Sequence, residues 1–583
     1  MNALSDLFSK YDEKEIKKIN NDHFLDFLAY YANLLNPSEI FVVTSDQKDG
    51  EYVRKKAIEN GEEARLEKEN QTYHFDGYYD QARDKENTKV LVPKNVELPF
   101  VNTLEREKGL QEMHQLLKNS MAGKTMFVGF FSLGPLNSDF TLYGVQLTDS
   151  AYVMHSELIL YRNAYDEFLN YKGNEFLRFI HAQGELDERK TSKNIKLRRI
   201  YFDLEGLTAF AINTQYAGNT VGLKKPAFRL TIYKANKEGW LSEHMFLMGV
   251  NGPNGRVTYF AGAFPSMSGK TSTCTIPGER LVGDDLVFIK NFDGITKAVN
   301  IEVGVFGIID GINPRDDPII WNVLNSNAEI IFSNILVSDG KPYWNGMGVK
   351  IPEKGVNFSG EWWKGKKDSE GNEIPPSHKN ARFTVSLYAF PNLDAKALES
   401  AEGVELGGII FGGRDSEAWP PVCESFDWIH GVLKGATVES ETTAASLGKE
   451  GIRTFNPMAI IEFLSIDLGL YLKNYIEFGK KLKRPPKIFA VNYFLKDENG
   501  NYLSEKSDKH VWLKWMELRV HEEVGAVKTP IGYLPRYEDL SKIFKTLQNK
   551  DYSKQSYEKQ FALRIAKLLS KNERMLNIYK NIK

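Results

Sequence analysis

The sequence predicts an α/β protein of two or more domains built around one phosphate-cradling stretch. Three observations predict it. At 583 residues the chain is too long for one simple core. Short β-branched and aromatic runs are interspersed with segments of helical period. Finally, Phe260 to Asp293 (FAGAFPSMSGKTSTCTIPGERLVGDDLVFIKNFD) passes through Gly269-Lys270-Thr271 and reaches Asp284-Asp285 fourteen residues after the lysine.

That stretch has the form of a phosphate loop. Backbone N–H groups would face an anion, the lysine would reach the outer phosphates, and the hydroxyl would bind their magnesium. Gly-Lys-Thr alone also suits an ordinary turn, and Phe264 stands where the strict pattern has its first glycine. The acidic pair behind the loop, able to hold or orient a metal, favours the phosphate reading.

Composition narrows the class. Hydrophobic residues make up 42% and charged residues 26%, as in globular proteins, and the 12% aromatic share suggests large cores or stacking surfaces. A net charge of −2 favours neither nucleic acid nor an anionic membrane as partner. Cys274 and Cys423 are the only cysteines, too few for a disulfide framework or a cysteine-rich zinc site. Neither a signal-peptide pattern nor an apolar run of about 18 residues is present, so a cytoplasmic protein is expected.

In chain order, residues 1–36 read as helices and 40–44 as a strand entering a fold. Residues 45–93 are charged and interrupted, and Arg83 there reads first as a solvated surface charge. A helix over 105–121 ends at a second Gly-Lys-Thr, 123–125. It follows a helix and precedes a strand, the reverse of what a phosphate loop needs, and is rejected as one. Runs at 141–147, 151–161 and 199–213 read as strands, giving a mixed α/β or α+β N-terminal region.

Lys224 and Lys225 close a Gly- and Asn-bearing loop that runs into a helix, and adjacent lysines are usually solvated. His244 heads an apolar strand, where a satisfied core histidine is the commoner reading. Strands follow at 328–336 and 381–388. GGIIFGGR, 407–414, reads as a buried strand whose glycines admit close backbone approach, ended by Arg414. Residues 440–450 are small and polar enough for a mobile lid. A strand over 487–494 ends in Tyr493 and Phe494, residues 496–510 form its loop, and the C-terminal helices are scaffold.

These segments resemble a known family, the GTP-dependent phosphoenolpyruvate carboxykinases. The resemblance is carried by FPSMSGKT (264–271), VGDD (282–285), YAGNTVGLKK (216–225), EGWLSEHM (238–245), NARF (380–383), GGIIFGGR (407–414) and SETTAA (440–445). Further matches, at 125–135, 145–153 and 486–494, lie in the family's order, and the whole spans roughly residues 80–535. The resemblance implies a two-lobed α/β fold with a P-loop in its nucleotide-binding C-terminal lobe, here 1–238 and 239–583. It implies conversion of oxaloacetate and GTP to phosphoenolpyruvate, CO2 and GDP by a monomer with no nucleic-acid or membrane partner.

Residue by residue, the resemblance places one Mn2+ on Lys225, His244 and Asp285, with Lys224 and Asp284 beside it. Lysine binds a metal only when neutral, so neighbouring charge must lower its pKa. The metal would polarise the oxaloacetate carbonyl and hold the enolate. A second Mg2+ or Mn2+ would travel with the nucleotide at Thr271. Catalytic roles fall to Ser268, Lys270, Arg414 and Lys224, and phosphoryl transfer needs mainly positioning and charge neutralisation. Arg83, Tyr216, Gly218, Ser266, Asn380 and Arg382 would grip the substrate, arginine suiting carboxylates by its planar fork. The nucleotide would meet Met267, Ser268, Gly269, Lys270, Thr271, Ser272, Arg414, Tyr493, Phe494 and Tyr502. The lid would exclude water from the enolate.

Five positions depart from the family pattern. Ser268 replaces the loop cysteine, which predicts resistance to thiol reagents. Ser272 stands where asparagine is usual, and Ser507 and His510 fall where an aromatic and an asparagine are usual in the base pocket. Glu439 replaces an arginine before the lid. The altered base pocket leaves open ATP, ITP or pyrophosphate as donor; a nucleotide-sensing paralogue is the non-enzyme alternative, against which Lys225, His244 and Asp285 speak.

Overall fold

The computed structural model describes residues 10–81, 84–216, 223–442 and 452–582, so Arg83, Gly218 and residues 443–450 of the expected lid lie outside it. The chain divides into two compact units: Met1–Tyr233 with Ile301–Pro391, and Lys234–Asn300 with Asn392–Lys583.

The first unit is built on a mixed sheet of nine strands among the described residues. Its order is Glu39–Val43, Thr125–Leu133, Leu142–Thr148, Leu177–Ala182, Thr208–Ile212, Arg199–Asp203, Thr88–Val92 and Thr103–Glu105, with Arg162–Asn163 paired to Thr125–Leu133. The helix Asp22–Leu35 starts where Asn21 accepts the Phe24 N–H, and its apolar stripe packs Phe24 against Phe130 and Phe168. Residues 301–391 rejoin this unit through a second sheet. There Ile330–Ser333 runs parallel to Gln71–His74, with Ile330 opposite Gln71, and Arg382–Ser386 pairs on its other side.

One expectation is corrected here. Residues 151–161 are not a strand: Ala151–Leu160 is a helix, started by Ser150 accepting the Val153 N–H. It is buried almost all round, from Ala151 to Leu160, so it carries no amphipathic period to distinguish it from a buried strand. The charged stretch 45–93 contains a helix as well, Gln47–Glu59, capped by Asp46.

The second unit is built on an eleven-stranded sheet among the described residues. At its centre Val257–Ala263, Val404–Gly413 and Lys487–Asn492 run parallel, with Ala263 opposite Phe411 and Gly413 opposite Asn492. Met245–Asn251 runs antiparallel beside them, Met245 opposite Ala263, and Arg280–Gly283 pairs with it in turn, Gly283 opposite Leu247. No helix among the described residues is long and apolar enough to cross a membrane.

Candidate active site

Strand direction gathers the second unit's chemistry at one edge. The three parallel strands end together, so loop 264–269, Arg414, and Tyr493 with Phe494 all emerge at their carboxyl ends. Met245 opposite Ala263 brings His244, at the head of its antiparallel strand, to the same edge. Asp284 and Asp285 follow Gly283 there, because Arg280–Gly283 runs antiparallel to the His244 strand.

His244 is buried, and both of its ring nitrogens have partners. Its Nδ1 lies 3.1 Å from the Ala459 carbonyl and its Nε2 2.9 Å from Asp285 Oδ1. Donation from Nδ1–H to that carbonyl leaves the Nε2 lone pair for a metal, the usual outer support of a ligating imidazole. The Lys270 ammonium hydrogen-bonds Asp285 and stands 3.2 Å from His244 Nε2. A cation thus rests between an imidazole nitrogen and a carboxylate oxygen, a donor set that fits a divalent metal.

The loop's departures from the strict pattern have physical reasons. Gly269 has φ 102°, which favours glycine, and a Cβ there would meet the Tyr493 ring at 3.2 Å. Phe264 fills the first-glycine position as a buried wedge, its ring 5.7 Å from Phe246 and 6.0 Å from Tyr493. Gly412 makes room for it, since a Cβ there would strike the Phe264 ring. Its absent side chain serves this packing within the protein. The loop leads into a short helix, Lys270–Cys274, in which Thr271 is the second residue. Ser266 and Met267 are exposed, whereas Ser268 is buried with its hydroxyl 3.2 Å from that of Ser440. Cys274 is buried, and burial pushes its thiol pKa up.

Around the loop, the Arg414 guanidinium lies 3.9 Å from the Phe494 ring centre and donates to the Met267 carbonyl at 3.4 Å. Phe494 and Tyr502 meet edge to face at 6.2 Å, while Tyr493 packs on Phe264. His510 pairs with Glu279 at 2.7 Å, Lys509 donates to the Ser272 carbonyl at 2.5 Å, and Ser507 precedes their helix. Glu439 takes both nitrogens of an Arg574 fork, at 3.0 and 2.8 Å. The acid that the resemblance marks as standing in place of an arginine is thereby paired with an arginine from the C-terminal helix.

The first unit gathers a different set. Asn380 Nδ2 donates to Tyr216 Oη at 2.6 Å, and Asn380 Oδ1 accepts from Arg382 at 3.1 and 2.8 Å. The expectation that Lys224 and Lys225 are solvated is overturned: they are 2% and 4% exposed. Lys224 reaches both oxygens of buried Glu302, at 2.7 and 2.8 Å. Sequence reasoning missed Glu302, Ala459 and Arg574. The first two carry no local pattern, but an acid replacing a base at Glu439 was a signal to search for a displaced arginine.

The class of the second unit follows: a P-loop nucleotide-binding enzyme domain whose loop lysine abuts a histidine–aspartate pair. The family model for the phosphoenolpyruvate carboxykinase C-terminal P-loop domain matches residues 240–583, and that for the N-terminal domain matches 26–236. The chain belongs to the phosphoenolpyruvate carboxykinase family. It is 63% identical over 584 residues to the phosphoenolpyruvate carboxykinase (GTP) of Pyrococcus furiosus, covering 100% of this chain and 93% of that protein. Against the enzyme of the same name from Saccharolobus solfataricus it is 50% identical, covering 99% and 93%. Against that of Chlamydia muridarum it is 36% identical, covering 79% of each.

Proposed function

We propose that the protein is a GTP-dependent phosphoenolpyruvate carboxykinase, interconverting oxaloacetate and GTP with phosphoenolpyruvate, CO2 and GDP. The observation that carries this is the meeting of His244, Asp285 and Lys270 beside a strand–loop–helix phosphate cradle. Lys270, Arg414 and the amides of Ser266 to Thr271 grip the phosphates and neutralise charge as the phosphoryl group moves. Met267, Gly269 and Ser272 line the nucleotide's path, with Tyr493, Phe494 and Tyr502 toward the base. Ser268 is held by its Ser440 contact.

Arg382, with Arg83, takes the carboxylates of oxaloacetate, and Tyr216, Gly218 and Asn380 orient it. Lys225 is the third metal ligand that the family resemblance adds, and its neighbour Lys224 is ion-paired with Glu302. His244 and Asp285 would hold a Mn2+ ion, which would supply Lewis-acid polarisation of an oxygen, and Thr271 would hold a second Mg2+ or Mn2+ with the nucleotide. Residues 440–450 act as a lid that excludes water. The near-neutral charge balance favours neither nucleic acid nor an anionic membrane as partner, and the same reading makes the protein a cytoplasmic monomer acting on small molecules.

The test is product formation with Mn2+ and oxaloacetate across GTP, ITP, ATP and pyrophosphate. Phosphoenolpyruvate and GDP should appear in equal amounts, with GTP preferred; no product with any donor sinks the proposal.

A further inference from the structure

We propose that Asp80 is a positioning residue for the acid substrate, a buried carboxylate that locks Tyr216, Asn380 and Arg382 into one arrangement. The inference rests on the substrate-gripping roles given above and extends them to a residue with no assigned part in the reaction.

Asp80 is 2% exposed and uses both oxygens. Oδ1 accepts from the Thr214 hydroxyl at 2.7 Å and from Arg198 at 2.6 Å, and Oδ2 accepts the Gln215 N–H at 2.7 Å. Gln215 precedes Tyr216. On the other side of Asp80, the Gln81 carbonyl accepts from Asn380 Nδ2 at 2.8 Å. The same nitrogen donates to Tyr216 Oη at 2.6 Å.

The bonds therefore close a ring: Asp80, Gln81, Asn380, Tyr216, Gln215 and back to Asp80. Three stretches distant in sequence are joined in it, and Arg382 hangs from it by two bonds to Asn380 Oδ1. A planar guanidinium binds a carboxylate well only in a fixed orientation. Three donors converge on Asp80, one of them a guanidinium, which an ionised carboxylate satisfies and an amide does not. Burial and the nearby Asp76 push the Asp80 carboxyl up to about 6 despite Arg198, so the fold holds this charge where burial disfavours it. Arg83, the substrate arginine outside the described residues, follows three positions later in sequence.

The test compares Asp80→Asn with wild type by steady-state kinetics in both directions. Arg198 keeps Asp84 at 2.8 Å, so the variant leaves that guanidinium paired. The expected result is a rise of about tenfold in KM for oxaloacetate and phosphoenolpyruvate, with KM for GTP and GDP and the metal requirement unchanged. Thr214→Val, which removes one Asp80 bond together with the long 3.4 Å bond from the Tyr216 N–H, should give a smaller shift of the same pattern, and it decides the matter if Asp80→Asn does not fold. Arg198→Met, which spares the Asp80 bonds to Thr214 and Gln215, should leave KM nearer wild type. Unchanged KM for the acids, equal losses across all substrates, or Arg198→Met matching Asp80→Asn would overturn the proposal. Wild-type protein that makes no phosphoenolpyruvate would fail the proposed function itself; active wild type with kinetically silent variants would fail only the role of Asp80.

Discussion

The molecule carries Gly-Lys-Thr twice, and in both the lysine meets a buried aspartate. At 123–125, Lys124 pairs with Asp149 at 2.5 Å and donates to the Gly184 carbonyl at 2.7 Å. There the chain passes from the helix Arg106–Leu117 into the strand Thr125–Leu133, and the lysine ties two loops together. At 269–271 the order is strand, loop, helix, and Lys270 meets an imidazole as well as a carboxylate. The tripeptide and its acidic partner are common to both places. Strand direction separates them, because only at 269–271 do the carboxyl ends of parallel strands deliver further functional groups alongside.

The strongest way to break this comparison is to remove each lysine in turn. Lys270→Met should lower kcat by at least about 100-fold, the scale of losing one charged donor to a developing anion. Lys124→Met should leave kcat unchanged and lower stability by about 2 kcal/mol, since Asp149 is fully buried but Lys124 is partly exposed. Turnover assays with denaturant unfolding read both; a similar kcat loss in the two variants would erase the distinction.

Buried charge elsewhere in the first unit should likewise act on stability. His155 is buried, which alone would lower its pKa, but Glu63 at 2.8 Å and Glu329 at 3.3 Å hold it protonated up to about 9. Its folded pKa is raised, so the stabilisation is fully present below about 6.5 and is lost as pH rises through 9, on the order of 3 kcal/mol. Unfolding curves from pH 6 to 10 should show that loss in wild type and much less of it in Glu63→Gln; identical slopes would count against the assignment.

The smallest expected effect is none. Cys274 and Cys423 are buried with pKa pushed up by burial, and the loop has Ser268, so thiol reagents should leave activity intact. Inactivation that nucleotide protects against would contradict the placement of Ser268 and Cys274.

The legible parts of the sequence were those with a local pattern. Strand–loop–helix at 257–274, the strand ending at Gly413 and the C-terminal helices all stand where periodicity and glycines put them. The helix Ala151–Leu160 was not legible, because burial on every side removes the period that marks a helix. The solvated reading of Lys224 failed, and the partners of His244 went unseen, for a related reason. Glu302 lies 78 residues from its lysine and Ala459 lies 215 from its histidine, and no local rule reaches that far. Family resemblance assigns roles to both residues where spacing could not, while Asp80 escaped both, since its partners at 198 and 214–215 belong to other strands and loops.

Mn2+ binding followed by electron paramagnetic resonance, without nucleotide, tests the central claim most directly. One tight site per chain is expected in wild type and Lys124→Met, and its loss in His244→Ala and Asp285→Asn. Binding that survives unchanged in His244→Ala would contradict the account of this edge of the sheet.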